Sequence, residues 1–143
     1  MVPQAIKGDV LWRIEAYRLA LYLSDLAGQD VERLVRDART LKVAPQLFRA
    51  VGSIGANIAE GFSRRSTRDQ ARLYEYALGS AREARHWYYQ ARIVLDSQTI
   101  DHRLETLTMI VRILLRMIPD RREHGVREEP VPYLVDDSHL DIL

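Results

Sequence analysis

Apolar residues recur at helical spacing through most of this chain. Val10, Ile14, Tyr17 and Leu21 follow an i, i+4, i+7, i+11 series, widened by Leu11, Leu23 and Leu26, the signature of an amphipathic helix. The pattern predicts a first helix over about 10–27, with Asp9 as its N-cap and Gly28 as its C-terminal stop. Residues 30–41 are mixed and charged and read as a short helical turn at most. A second helix is predicted over about 45–61. Pro45 suits a first-turn position, where its missing N–H costs nothing, and Leu47, Val51, Ile54 and Ile58 form the apolar stripe. The other positions are small: Ala50, Gly52, Ser53, Gly55, Ala56, Ala59 and Gly61. Each interior glycine costs a helix about 1 kcal/mol against Ala, so this composition predicts a helix that another backbone approaches closely.

After a turn at 62–66, Ser66 or Thr67 starts the next helix, and Thr67 with Gln70 has capping-box spacing. The third helix is predicted over about 67–96, with Tyr74, Ala77, Leu78, Ala81, Ala84, Tyr88, Ala91 and Leu95 facing inward. The fourth covers about 100–118, with Leu104, Leu107, Val111, Leu114 and Ile118 on one face and Pro119 as terminator. No segment alternates like a strand. Four long helices with short connections predict an all-α domain over 1–119, an antiparallel up-down-up-down four-helix bundle. Residues 120–143 make an acidic tail with Pro130 and Pro132, which also carries Tyr133, Leu134, Val135, Leu140, Ile142 and Leu143. It reads as a free end or as a strap that docks on a neighbour.

Composition narrows the class. The chain has 143 residues, 47% apolar and 29% charged, enough for one self-sufficient core and unlike a disordered segment. No apolar run approaches the ~18 residues of a spanning helix, and no signal-peptide pattern opens the chain, so a cytoplasmic protein without a membrane partner is expected. The absence of Cys removes disulfides, thiolate metal sites and Cys nucleophiles together.

Charge changes the picture more. The formal net charge is only +1, yet residues 36–92 hold 11 basic and 5 acidic side chains while residues 119–143 hold 3 and 7. A basic middle attracts phosphates by counterion release. Nearly all the cations are Arg, which pairs as readily with a neighbouring Glu or Asp, so a salt-bridged helix surface stands as the alternative to a polyanion-facing patch.

Catalytic patterns find little support. Glu83-Ala-Arg-His86 has the Glu-x-x-His form of di-iron bundles, but such a site needs two of these plus two further glutamates; in the tail, Asp136 and His139 have the same spacing. Helical ribonucleases of the HEPN kind carry an Arg and a His with four to six residues between them; here three separate Arg82 from His86. Gly52-Ser-Ile-Gly55 lacks the strands of a KH domain. No enzyme activity, metal or cofactor is expected. What remains is polar positions at helical spacing: Ser53, Asn57, Glu60 and Arg64 on the second helix, and Arg68, Arg72, Glu75, Gly79, Arg82 and His86 on the third. Asn57 and Glu60 read as groups hydrogen-bonded to neighbouring helices or subunits.

The stretch Ser53-Ile-Gly-Ala-Asn-Ile-Ala-Glu-Gly-Phe-Ser-Arg-Arg-Ser66, with Ala77-Leu-Gly-Ser-Ala-Arg-Glu83 downstream, resembles the bacterial four-helix-bundle family encoded by intervening sequences in 23S rRNA genes, also described as like the S23 ribosomal protein. The resemblance covers roughly residues 9–119. Asn57, Glu60, Gly61, Gly79, Ser80 and Glu83 match the family pattern, as does Ser53 at its start, and Arg64 and Arg65 match its basic turn. These matches imply a structural or interface role for the motif and a homopentameric ring for the assembly. The family is also similar to the accessory variability protein of diversity-generating retroelements, which implies RNA or DNA, and a reverse transcriptase, as partners. The resulting expectation is a non-enzymatic nucleic-acid-binding accessory factor, with Arg64, Arg65, Arg68, Arg72, Arg82 and Arg85 as phosphate contacts. The alternative is a protein-binding scaffold or assembly module with no nucleic-acid role.

Overall fold

A computed structural model describes residues 1–118, and every regular element among them is helical. A four-residue helix, α1 (Gln4–Lys7), and a 3-10 turn (Val10–Arg13) lead into α2 (Glu15–Leu34). Next come α3 (Val43–Phe62), α4 (Thr67–Gln90), a 3-10 turn (Ala91–Ile93) and α5 (Ser97–Met117). α2 packs on α3, α3 on α4, α4 on α5, and α5 back on α2, so the four long helices form a helical bundle around a shared core. No helix among the described residues is long and apolar enough to cross a membrane. The acidic tail, with Pro119, His124, Asp136 and His139, lies outside the described residues.

The stripes of α3 and α4 lie where their apolar period puts them. Leu47, Val51, Ile54 and Ile58 are buried, as are Tyr74, Ala77, Leu78, Ala81, Ala84, Tyr88, Ala91 and Leu95. On α5, Leu107, Val111 and Leu114 are buried as expected. Leu104 and Ile118 are only half-buried, while Ile100 and Ile110 fill the core beside them.

α2 departs from its expected face and bounds. Its buried residues are Ala16, Ala20, Leu23, Ala27, Asp30 and Leu34; Tyr17 and Leu21 are half-buried on the flank, and Val10 is 56% exposed. Asp9 caps the 3-10 turn instead of the helix, its Oδ1 accepting from the Leu11 N–H at 2.9 Å, and the extended backbone of Ile14 separates the two. Gly28 does not end the helix. α2 runs on through it because Asp30 and Leu34, a turn and two turns beyond Ala27, are both buried by the bundle. The helix ends at Leu34, and the connection after it is anchored by Thr40, which is fully buried. Its Oγ1 donates to the Leu34 carbonyl at 2.7 Å, and its own carbonyl accepts from the N–H groups of Val43 and Ala44, closing α2 and opening α3 together.

The burial of Asp30 is matched by full pairing. Arg103 of α5 grips the carboxylate with two guanidinium nitrogens, Nε to Oδ2 at 2.7 Å and Nη2 to Oδ1 at 3.1 Å. Tyr88 of α4 donates its hydroxyl to Oδ2 at 2.7 Å. Burial first, and then the Asp30 carboxylate, push the Tyr88 phenol far above its usual range, so it stays a donor. Arg103 Nη1 also meets His102 Nδ1 at 2.6 Å. Three helices are thus fixed in register by one carboxylate, and no buried side-chain polar atom among the described residues lacks a partner.

α4 also stops short of the expected 96, and α5 starts before 100. The N–H groups of Val94 and Leu95 both turn back onto the Ala91 carbonyl, and Asp96 adopts the extended backbone of an N-cap. Asp96 Oδ2 accepts from the Thr99 N–H at 3.1 Å and Oδ1 from its hydroxyl at 2.9 Å. These bonds, with Arg33 at 3.3 Å, hold the Asp96 carboxyl at about 2. Because its folded value lies below that of a free carboxylate, ~3.9, its contribution to stability is complete above pH ~4 and is lost as pH falls through about 2. The Asp96 carboxyl carbon should therefore titrate near pH 2 by NMR, and Asp96→Asn should flatten the acid limb of the melting temperature between pH 4 and 2. A normal titration midpoint would show that the cap is not formed.

Candidate functional site

The turn between α3 and α4 is held by short-range bonds that leave its arginines outside. The Ser63 hydroxyl donates to the Ala59 carbonyl at 2.9 Å, and Ser66 Oγ accepts from the Asp69 N–H at 3.0 Å. Ser66, not Thr67, is the cap, and Asp69 takes the third helical position. Arg64 folds back on Glu60, Nη2 to Oε1 at 2.7 Å. Arg72 reaches Asp69 only at 3.8 Å. Arg65 and Arg68 are exposed, and neither forms an ion pair with a described carboxylate. Among the described residues, two of the six expected phosphate contacts carry no ion pair and two are shared with carboxylates.

The remaining two arginines separate. Arg82 continues the outer stripe of Arg68, Arg72, Gly79 and His86, all exposed, with Glu75 half-buried among them. Arg85 is half-buried and lies about 100° around the helix from that stripe. Its neighbour at i+4 is Tyr89, 44% exposed, and Arg92 sets its guanidinium 3.9 Å above the Tyr89 ring. Neither Arg82, Arg85 nor Arg92 forms an ion pair with a described carboxylate. Tyr89 and Arg92 belong with the basic surface although sequence reasoning passed over them. The signal was present as Arg85, Tyr89 and Arg92 at i, i+4, i+7, masked by the aromatic run that includes buried Tyr88.

Four of the family-motif residues, Ser53, Asn57, Glu60 and Glu83, form hydrogen bonds within the chain. Asn57 Nδ2 donates to the Ser53 carbonyl at 2.8 Å and the Ser53 hydroxyl to the Arg49 carbonyl at 2.9 Å. With Glu60 held by Arg64, the polar stripe of α3 is bonded along its own helix and not to another helix of the bundle, since each acceptor lies one turn away. Glu83 does bridge helices: its Oε1 accepts from Arg49 Nη2 of α3 at 2.9 Å and from the Trp87 indole at 3.2 Å. His86, its partner in the di-iron spacing, is exposed and lies edge-on to Trp87. No group of side chains suited to a metal ion occurs among the described residues.

The four glycines of α3 and α4 differ. A Cβ at Gly61 would lie 2.9 Å from the Tyr74 ring, so the close approach there is made by an aromatic side chain and not by the second backbone that the small residues led one to expect. Gly55 faces Ala20 and Tyr17 at ordinary contact distance, whereas Cβ atoms at Gly52 and Gly79 would meet nothing within 4 Å. Ser80 is half-buried. Between α2 and α3 a groove of about 130 Å³ is lined by Tyr17, Leu21, Gly52, Gly55 and Ala56.

A helical bundle with an Arg-bearing outer face and no metal-binding group among its described residues defines the class. The family model described as 23S rRNA-intervening sequence protein matches residues 13–118, and the chain belongs to that family. A solved structure of a protein with unknown function from the S23 ribosomal protein family of Bacteroides thetaiotaomicron is similar to it, with a TM-score of 0.67 at 22% identity. The match covers 72% of this chain and 97% of that one, and the likeness lies in the fold. No curated protein matches.

Proposed function

We propose that this chain is a non-enzymatic accessory protein of the bacterial cytoplasm that binds RNA or DNA through its Arg face, as a homopentameric ring of antiparallel up-down-up-down bundles. The observation that carries the reading is that Arg65, Arg68 and Arg82 are exposed without an ion pair to any described carboxylate. Guanidinium groups already closed on Glu or Asp have little left for phosphate, whereas these are available for bidentate contact. Repetition around a ring multiplies a weak site through effective concentration. The resemblance to the accessory variability protein adds a reverse transcriptase as a protein partner.

Light scattering with a short RNA tests this directly. The expected result is a ring of about five chains that gains RNA mass at low salt and loses it at high salt; a ring that ignores RNA at both salts would sink the reading. Arg65→Glu with Arg68→Glu breaks no described ion pair, so the ring should persist while the log–log salt slope of RNA binding falls by about 2. If that variant dissociates the ring instead, the protein-scaffold reading takes over. That second reading is favoured by Gly52 and Gly79, open glycines inside exposed helix faces, and by Phe48 and Tyr76, which are 52% and 53% exposed.

A further inference from the structure

The Arg face has a counterpart within the same sequence. Residues 128–143 contain Glu128, Glu129, Asp136, Asp137 and Asp141 and no Lys or Arg. The fold brings the last described residues, Met117 and Ile118, to the same end of the bundle as the face. α4 and α5 pack together across residues 91–96, and Tyr88 of α4 meets Arg103 of α5 on Asp30. Met117 lies fourteen residues past Arg103, and Tyr74 fourteen before Tyr88. At ~1.5 Å per residue both are about 21 Å from that meeting point, so the chain leaves the bundle level with the first turns of α4. Arg65, Arg68 and Arg72 are on those turns and the connection before them. From Ile118 to Glu128 is ten residues, a span of at most about 33–36 Å when fully extended.

We propose that the acidic segment 128–141 of the chain's own tail docks on the Arg face around Arg65, Arg68 and Arg72, and that a polyanion must displace it. The docking stands on charge complementarity and tether length. The displacement rests on the nucleic-acid reading above. A short tether supplies a local concentration in the millimolar range, so individually weak contacts to exposed guanidinium groups suffice to occupy the face at low salt. The tail then acts as an internal competitor that raises the threshold for binding and favours long polyanions, which contact several arginines at once, over isolated phosphates.

The chain has no Cys, so Ser138→Cys gives a single point for a spin label. Full-length, isotope-labelled, spin-labelled protein is diluted into excess unlabelled chain to isolate effects within one chain. At low salt the amide signals of residues 64–72 should be attenuated, and they should recover at ~0.5 M salt, where the Debye length is only a few ångströms. They should also recover in a full-length variant carrying Glu128→Gln, Glu129→Gln, Asp136→Asn, Asp137→Asn and Asp141→Asn. Attenuation that is absent, insensitive to salt, or unchanged by neutralisation overturns the docking. Poly(U) supplies the second arm: it should abolish the attenuation and bind the neutralised variant roughly three- to tenfold more tightly at low salt. Poly(U) that binds while the attenuation persists overturns the displacement. Poly(U) that binds neither protein removes the nucleic-acid reading and leaves the tail as the ligand of the Arg face.

Discussion

Arg103→Ala is expected to destabilise the fold by about 3–5 kcal/mol, the usual result of removing one partner from a buried ion pair. Asp30 is 4% exposed, and after the substitution only the Tyr88 hydroxyl would remain on its carboxylate. A charge in that position must stay ionised and poorly solvated or take up a proton, and either course costs the folded state. Against a total of roughly 5–15 kcal/mol for a domain of this size, the loss is large enough to bring the urea midpoint down severely. The control is to remove the charges together. Asp30→Leu, Arg103→Met and Tyr88→Phe combined should recover most of the stability, because a well-packed apolar replacement of a buried pair is often neutral or stabilising. If Arg103→Ala unfolds at the native urea concentration, Asp30 is not buried in solution and the register of α2, α4 and α5 must be held by packing alone.

Gly61→Ala should cost about 1–3 kcal/mol, the penalty of overpacking, although alanine is the better helix former by about 1 kcal/mol. The added methyl would meet the Tyr74 ring at 2.9 and 3.0 Å and the Leu73 Cβ at 3.1 Å. A buried ring has little room to turn aside, and a Cβ moves only with its backbone, so α3 and α4 must separate where the chain reverses between them. Gly52→Ala and Gly79→Ala are the counter-experiment: with nothing within 4 Å, each should stabilise the isolated bundle by up to about 1 kcal/mol. Urea unfolding of the three variants gives the comparison, and equal effects at all three sites would contradict the close approach at Gly61. A Gly79→Ala protein that gains stability but loses oligomer mass would locate a second backbone against the outer face of α4.

The stripes of α3 and α4 were legible because each has one apolar side and a polar or small opposite side. α2 was not, since Tyr17, Leu21 and Tyr22 crowd its flanks with large apolar groups while half of its true core side is alanine. A periodicity argument follows bulk, and here bulk is beside the core. Asp30 was invisible for a different reason. Its partners are 58 and 73 residues away, so its local context is that of a surface acid near a glycine, and nothing short of the assembled bundle reveals the pairing. The Arg face was legible as composition and only partly as geometry: the turn and the outer stripe of α4 follow from spacing, but the closure of Arg64 on Glu60 and the stacking of Arg92 over Tyr89 depend on rotamers.

The alanine seam has a mechanical meaning. Ala16, Ala20 and Ala27 on α2, Ala77, Ala81 and Ala84 on α4 and Ala91 just past its end face the core, and a methyl group has no alternative rotamer to adopt when its neighbour moves. Bulky side chains absorb a disturbance by swapping conformers, whereas these methyl contacts pass it on to the backbone. A displacement of α4 at these positions therefore meets groups that cannot turn aside, so strain on its outer face should be taken up as a shift of the helix and not as a change of rotamer.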